Sequence, residues 1–168
     1  MPVNPSTQKP VIDADFFKAF AAAAQAVFAT QCNLIVQSGQ KYIKKPDEYL
    51  HTELAGVINL IHSAFTGSLF LCFTLEVYLK VYENMVGEKH TRMTPELQDG
   101  AAELLNMIFG QINTNLNKQK GHTFEITLAK SISGEELELL TAGKWPIFIM
   151  PFDSLAGTFH IKIVVGST

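Results

Sequence analysis

The chain has 168 residues, of which 47% are hydrophobic and 17% charged, with a net charge of −3. That balance excludes a disordered chain and allows a sizeable core. No run of Lys or Arg exceeds the pair Lys44–Lys45, so neither nucleic acid nor a membrane surface is an expected partner.

Residues 1–10 are polar and Pro-rich, which predicts a flexible N-terminus ahead of one domain over 11–168. They carry no basic region followed by an apolar core, and later apolar stretches are too short and interrupted to span a bilayer. Cytoplasmic residence is expected. Phe16, Phe17, Phe20, Ala24, Val27 and Phe28 form one apolar helical stripe, with Asp13 or Asp15 available as a cap. Asn33 to Val36 reads as a short strand, followed by a polar connection over 39–47. Apolar runs over 53–61 and 68–74, separated by a bend from Ser63 to Gly67, read as a hairpin. Cys32 and Cys72 lie apart in apolar stretches and read as small buried hydrophobes, not as a disulfide or zinc framework.

Leu75, Tyr78, Leu79, Tyr82 and Met85 return to helical spacing, and Gly87 stands where a helix C-terminus favours glycine. Thr94–Pro95 opens a long helix, with Thr as N-cap and Pro at the first helical position, ending near Leu116. The segment from Lys118 to His122 closes it. His122 to Leu128 alternates, with Phe124, Ile126 and Leu128 on one face. A turn is expected over Lys130 to Gly134. Residues 145–152 and 156–165 read as two strands, Trp145 at a sheet edge, with Phe159, Ile161, Ile163 and Val165 inward and His160 and Lys162 outward. Each half thus shows helix, strand and hairpin. The fold class expected is α/β (α+β): a two-layer sandwich, internally duplicated, with a mostly antiparallel sheet and long helices on one face.

The long helix carries the chemistry. Advancing about 100° per residue from Asp99 puts Glu103 at about 40°, Asn106 at about −20°, Gly110 at about 20°, Asn113 at about −40° and Asn117 at about 0°. Leu97, Ala101, Leu104, Ile108 and Ile112 fall opposite. A polar stripe of this kind is ordinarily a solvated face, but this one lacks the Lys and Arg that usually alternate with carboxylates. Gly110 sits mid-helix, at a cost of up to about 1 kcal/mol relative to Ala, and glycine there permits close approach of another backbone. Asp99, Glu103 and Asn106 make a poor metal cage without further ligands. A carboxylate and an amide one turn apart can instead enter another protein's site, one pairing with a lysine and the other orienting a water for attack on a phosphoryl group.

The run Asp99-Gly-Ala-Ala-Glu103-Leu-Leu-Asn106-Met-Ile-Phe-Gly110 resembles the D/S-x3-E-x2-N signature of the CheC/CheX/FliY chemotaxis phosphatases. Met85-Val-Gly87-Glu88 resembles the family's M-x-G-E segment. The resemblance spans about Phe16 to Val165, and with one copy of the signature the chain looks closer to the CheX branch. The resemblance implies a phosphatase acting on the phospho-aspartate of a CheY-like response regulator. Asn106 would orient the attacking water and Glu103 would pair with the receiver lysine. Asp99, Gly110 and Asn113 would contribute to partner binding. It implies no cofactor of the chain's own and Mg²⁺ in the receiver domain. A homodimer is expected by analogy with the branch and from the long, weakly guarded C-terminal strand. The family pattern places a proline where this chain has Ala129.

Two other readings share the fold: a non-catalytic receiver-binding module, and a flagellar-switch component. Aligning Phe28 with Phe109 sets Gln25 against Asn106 and Ala22 against Glu103, so one active centre per chain is expected. The five histidines, His51, His62, His90, His122 and His160, form no metal-binding spacing. Ser131 and Ser133 have no adjacent base, so nucleophilic catalysis is unsupported.

Overall fold

The computed structural model describes residues 14–61, 66–120, 125–144 and 146–166, with the backbone alone over 113–120. Expectations for residues 1–10, Asp13, His62, His122, Phe124 and Trp145 lie outside the described residues. The first helix, α1 (Ala14–Gln31), buries the stripe its spacing predicts, from Phe16 to Phe28. The strand expected over 33–36 is irregular chain. Asn33 turns it off the helix at a φ of 44°, a conformation Asn tolerates better than most residues. Leu34 and Val36 still reach the core. Pairing starts later, at β1 (Gln37–Ser38) and β2 (Tyr42–Ile43).

Strands β3 (Leu54–Ile61) and β4 (Thr66–Phe73) form the first hairpin. Thr66 and Gly67, assigned to its bend, already pair with Ile61 and Leu60. Helix α2 (Leu75–Val86) starts at Thr74, whose Oγ1 accepts the Val77 N–H at 3.4 Å. It stops at Gly87, where a φ of 79° lets the glycine N–H donate to the Glu83 carbonyl at 2.8 Å, a left-handed cap that favours glycine. Its buried face is turned toward Val77 and Val81 beside Tyr78 and Tyr82. Leu75, Leu79 and Met85 of the expected stripe are only half-buried.

Helix α3 (Pro95–Lys120) runs past its expected end near Leu116. The strand expected over 122–128 is reduced to β5 (Glu125–Ile126), and pairing resumes at β6 (Lys130–Ser133), where a turn was expected. Both pair with β3. Thr127 still bonds to Asn59, but Leu128 and Ala129 are unpaired with β3, which breaks the alternation and leaves Leu128 85% exposed. Helix α4 (Gly134–Thr141) follows, unanticipated, with Ser133 Oγ accepting the Glu136 N–H at 3.1 Å. Strands β7 (Ile147–Ser154) and β8 (Gly157–Gly166) make the second hairpin.

Among the described residues all pairings are antiparallel, in one eight-stranded sheet ordered β1-β7-β8-β4-β3-β5, with β2 also on β7 and β6 also on β3. The two hairpins meet at β4 and β8. The short strands of each half pair with the hairpin of the other half. The main core lies between the sheet and α1, α2 and α3. A smaller cluster, including Val57, Phe70, Cys72 and Ile149, covers the opposite face with Leu137 of α4. The long helices therefore share one face, as expected, and the short α4 adds cover on the other.

That corrects the reading of β8. Phe159, Ile161 and Ile163 face the main core as expected. His160 is half-buried, and Lys162, expected in solvent, is 1% exposed, with Nζ 3.9 Å from Glu138 on α4. The strand is interior, between β7 and β4, so it offers no edge for a second copy. Cys32 and Cys72 are free and buried, and burial pushes their thiols up to about 11 and about 12. Among the described residues no helix is long and apolar enough to cross a membrane.

Candidate functional site

The candidate site is the outer face of α3, and the helix is fixed from three sides. At its start, Thr94 Oγ1 accepts the Leu97 N–H at 3.3 Å. From α2, the Tyr78 hydroxyl donates to the Leu97 carbonyl. Burial and neighbouring Tyr82 push that phenol up, so it remains a protonated donor. From β6, Ser131 Oγ accepts the Ala102 N–H at 3.1 Å and donates to the Gln98 carbonyl. Gln98 and Ala102 are the two residues an α-helix pairs i to i−4, so one hydroxyl ties a helical turn to the sheet. Beneath, a Cβ on Gly56 would lie 2.8 Å from the Ala101 carbonyl oxygen. Glycine in β3 lets the helix lie that close.

Above this anchor the buried side takes most of the circumference. Leu97, Ala101, Leu104, Ile108 and Ile112 are buried as the angular reading requires, and so are Ala102, Leu105 and Phe109. Asp99, Glu103, Met107 and Gly110 remain exposed in a narrow strip. Asn106 is half-buried at its margin. Its Oδ1 accepts the Ala129 N–H at 3.1 Å. A Cβ on Gly110 would meet nothing within 4 Å. Asn113 lies in the same helix, its side chain outside the described residues.

Glu103 and Asn106 therefore share one edge of the helix, a turn apart. Among the described residues neither Asp99 nor Glu103 has a salt-bridge partner. Their surroundings are acidic: burial and the carboxylates of Glu96, Glu88 and Glu103 push the Tyr82 phenol up. An exposed, unpaired carboxylate in that field attracts a cation from outside the chain. Among the described residues no group of His, Cys, Asp and Glu is arranged to hold a metal ion. Gln25 and Ala22, the counterparts of Asn106 and Glu103 in α1, are exposed.

The contacts of four residues escaped the sequence reading. Ser131 and Ser133 drew attention only as nucleophiles; both hydroxyls are used in holding helices. Tyr78 carried a signal, a hydroxyl within an apolar stripe, which when buried needs a partner. The bond from Ala129 to Asn106 left no local trace.

The model of the family described as chemotaxis phosphatase CheX matches residues 54–153, which contain this helix face. The chain belongs to the CheX family of chemotaxis phosphatases. Among solved structures, it is similar to a CheC-like superfamily protein from Shewanella sp. PV-4, with 27% identity and a TM-score of 0.77, covering 93% of this chain and 100% of that one. It is similar to the chemotaxis protein CheX from Vibrio vulnificus, with 27% identity and a TM-score of 0.76, covering 91% of this chain and 100% of the other. The fold is also that of CheX in the CheX–CheY–BeF3–Mg²⁺ complex from Borrelia burgdorferi, at 22% identity and a TM-score of 0.73, covering 91% of this chain and 99% of that one. Among curated proteins none matches.

Proposed function

We propose that this protein hydrolyses the aspartyl phosphate of a CheY-like receiver domain, inserting the exposed edge of α3 into the receiver's active site. The observation that carries the reading is an unpaired Glu103 one turn from the Asn106 amide on a helix fixed to the sheet. Water attacks phosphorus, the bond from phosphorus to the aspartyl oxygen breaks, and the products are inorganic phosphate and a free carboxylate. Such a reaction depends chiefly on positioning and charge stabilisation. Asn106 orients the water. Glu103 pairs with the receiver's lysine. Asp99, Gly110 and Asn113 complete the contact, Gly110 by leaving room above the helix. Mg²⁺ belongs to the receiver and neutralises phosphoryl charge there; the Borrelia burgdorferi complex contains Mg²⁺ together with CheY.

The remaining parts of the proposal are one phosphatase domain over 11–168, cytoplasmic placement and a homodimer. The dimer rests on the family resemblance alone, since β8 is interior. Sedimentation of the purified chain tests it, and a monomer at micromolar concentration would exclude it.

The test of the activity is receiver dephosphorylation with and without the protein. Asn106→Ala is expected to lower the accelerated rate by about 100-fold or more, the scale of losing one positioned polar group. Glu103→Ala is expected to raise KM for the receiver by roughly 10-fold or more, the cost of an interfacial charge left unpaired. Unchanged rates in both variants would sink the proposal. The alternative, a receiver-binding module without catalysis, rests on one feature of the sequence: Ala129 stands where the family pattern has a proline. Affinity for the receiver with no acceleration would support that alternative.

A further inference from the structure

The donor that engages Asn106 is not a loose loop. Two residues before it, the Thr127 N–H donates to the Asn59 carbonyl at 3.1 Å, and Thr127 Oγ1 accepts the Asn59 N–H at 3.0 Å. One residue after it, Lys130 enters the ladder opposite Val57. Ser131 then bonds to α3 at Gln98 and Ala102. Ala129 itself is 8% exposed. Its N–H is therefore held on both sides by the sheet and aimed at the helix.

The chemistry of the amide makes this contact directional. A backbone N–H can bond only to the oxygen of the Asn side chain, so the NH2 group must lie on the other side. The oxygen has two lone pairs, of which Ala129 occupies one. The other is left for a water hydrogen. An Asn side chain on an exposed helix edge would otherwise exchange rotamers, and ordering it on docking would oppose the reaction.

We propose that the Ala129 N–H is the positioning group for Asn106, holding its amide in one orientation before the receiver docks. The proposal rests on the role given to Asn106 above. Ala129 does not touch the substrate; it acts through Asn106, and its contribution belongs to the rate and not to receiver affinity.

The experiment removes the N–H with little other change. Lactate in place of Ala129 converts the amide to an ester and keeps the methyl side chain, without the fixed φ that Ala129→Pro would impose. In receiver dephosphorylation, the ester protein is expected to lose about 3- to 10-fold in kcat with KM unchanged, the scale of an ordering cost moved into the reaction. Amide hydrogen exchange supplies a second readout that does not need the ester. The Ala129 proton is expected to be protected in the natural chain and to lose that protection in Asn106→Ala, while amides of β3 and β6 keep theirs. An unchanged or increased kcat in the ester protein overturns the proposal, as does equal exchange at Ala129 with and without the Asn106 side chain. The two levels separate cleanly. If Asn106→Ala keeps its rate, the reading of the site fails and takes this role with it. If Asn106→Ala loses its rate while the ester protein keeps its own, only the positioning role fails.

Discussion

His160 has a buried Nε2 with no hydrogen-bond partner among the described residues, two positions along β8 from the buried ammonium of Lys162. Burial, reinforced by Lys162 and opposed by the smaller pull of Glu48, pushes the imidazole down to about 4 from an ordinary 6.5. Cys72 lies directly across the ladder with its thiol protonated, and Glu138 reaches the cluster from α4. The sign of the linkage follows. Between pH 6.5 and pH 4 the unfolded chain binds a proton at this site that the folded chain does not, so acid withdraws stability. The loss is roughly 3 kcal/mol across that window, at the scale of 1.36 kcal/mol per pH unit. Urea unfolding at a series of pH values should show this slope, and His160→Phe should remove it. Lys162→Met should reduce the slope and leave stability at pH 7 unchanged or higher, because a buried charge held at 3.9 Å from its partner contributes little net. Alternation along β8 correctly placed both side chains away from Phe159 and Ile161. What it could not supply was the cover, since α4 arrives from another part of the chain.

At the scale of the element, α3 shows what periodicity can and cannot reveal. The opposition of Leu97, Ala101, Leu104, Ile108 and Ile112 to Glu103 and Gly110 follows from about 100° per residue, and burial agrees with it. The inward lean of Asn106 does not follow, because it depends on a backbone donor 23 residues away. Gly110 is the place to test the helix as a surface. With nothing within 4 Å of an added Cβ, Gly110→Ala should raise unfolding stability by up to about 1 kcal/mol. Gly110→Leu should keep part of that gain while weakening receiver binding, measured as a rise in KM; unchanged KM would remove Gly110 from the contact. The anchors can be tested in the same assay. Tyr78→Phe and Ser131→Ala should each cost about 1–3 kcal/mol of stability, because each leaves a carbonyl of α3 without its present donor. The missed helix α4 did carry a signal: Ser133 and Glu136 have the spacing of a capping box. Its eight residues are too few for periodicity to speak.

The sheet as a whole is assembled by exchange. The repetition of helix, strand and hairpin was legible because each unit is local. The pairing was not, because each half sends its short strands across: β1 and β2 to β7, β5 and β6 to β3. Ladders of such long sequence separation favour slow folding. The Tyr78 and Ser131 hydroxyls that hold α3 come from opposite halves of the chain. Neither half therefore contains a finished site or a finished sheet. A cut in the exposed stretch from Glu88 to Arg92, between α2 and α3, should give two pieces that are each inert and poorly folded, and that regain structure only when mixed. Built into two fusion partners, the pieces would behave as a split reporter whose signal is the reconstituted sheet.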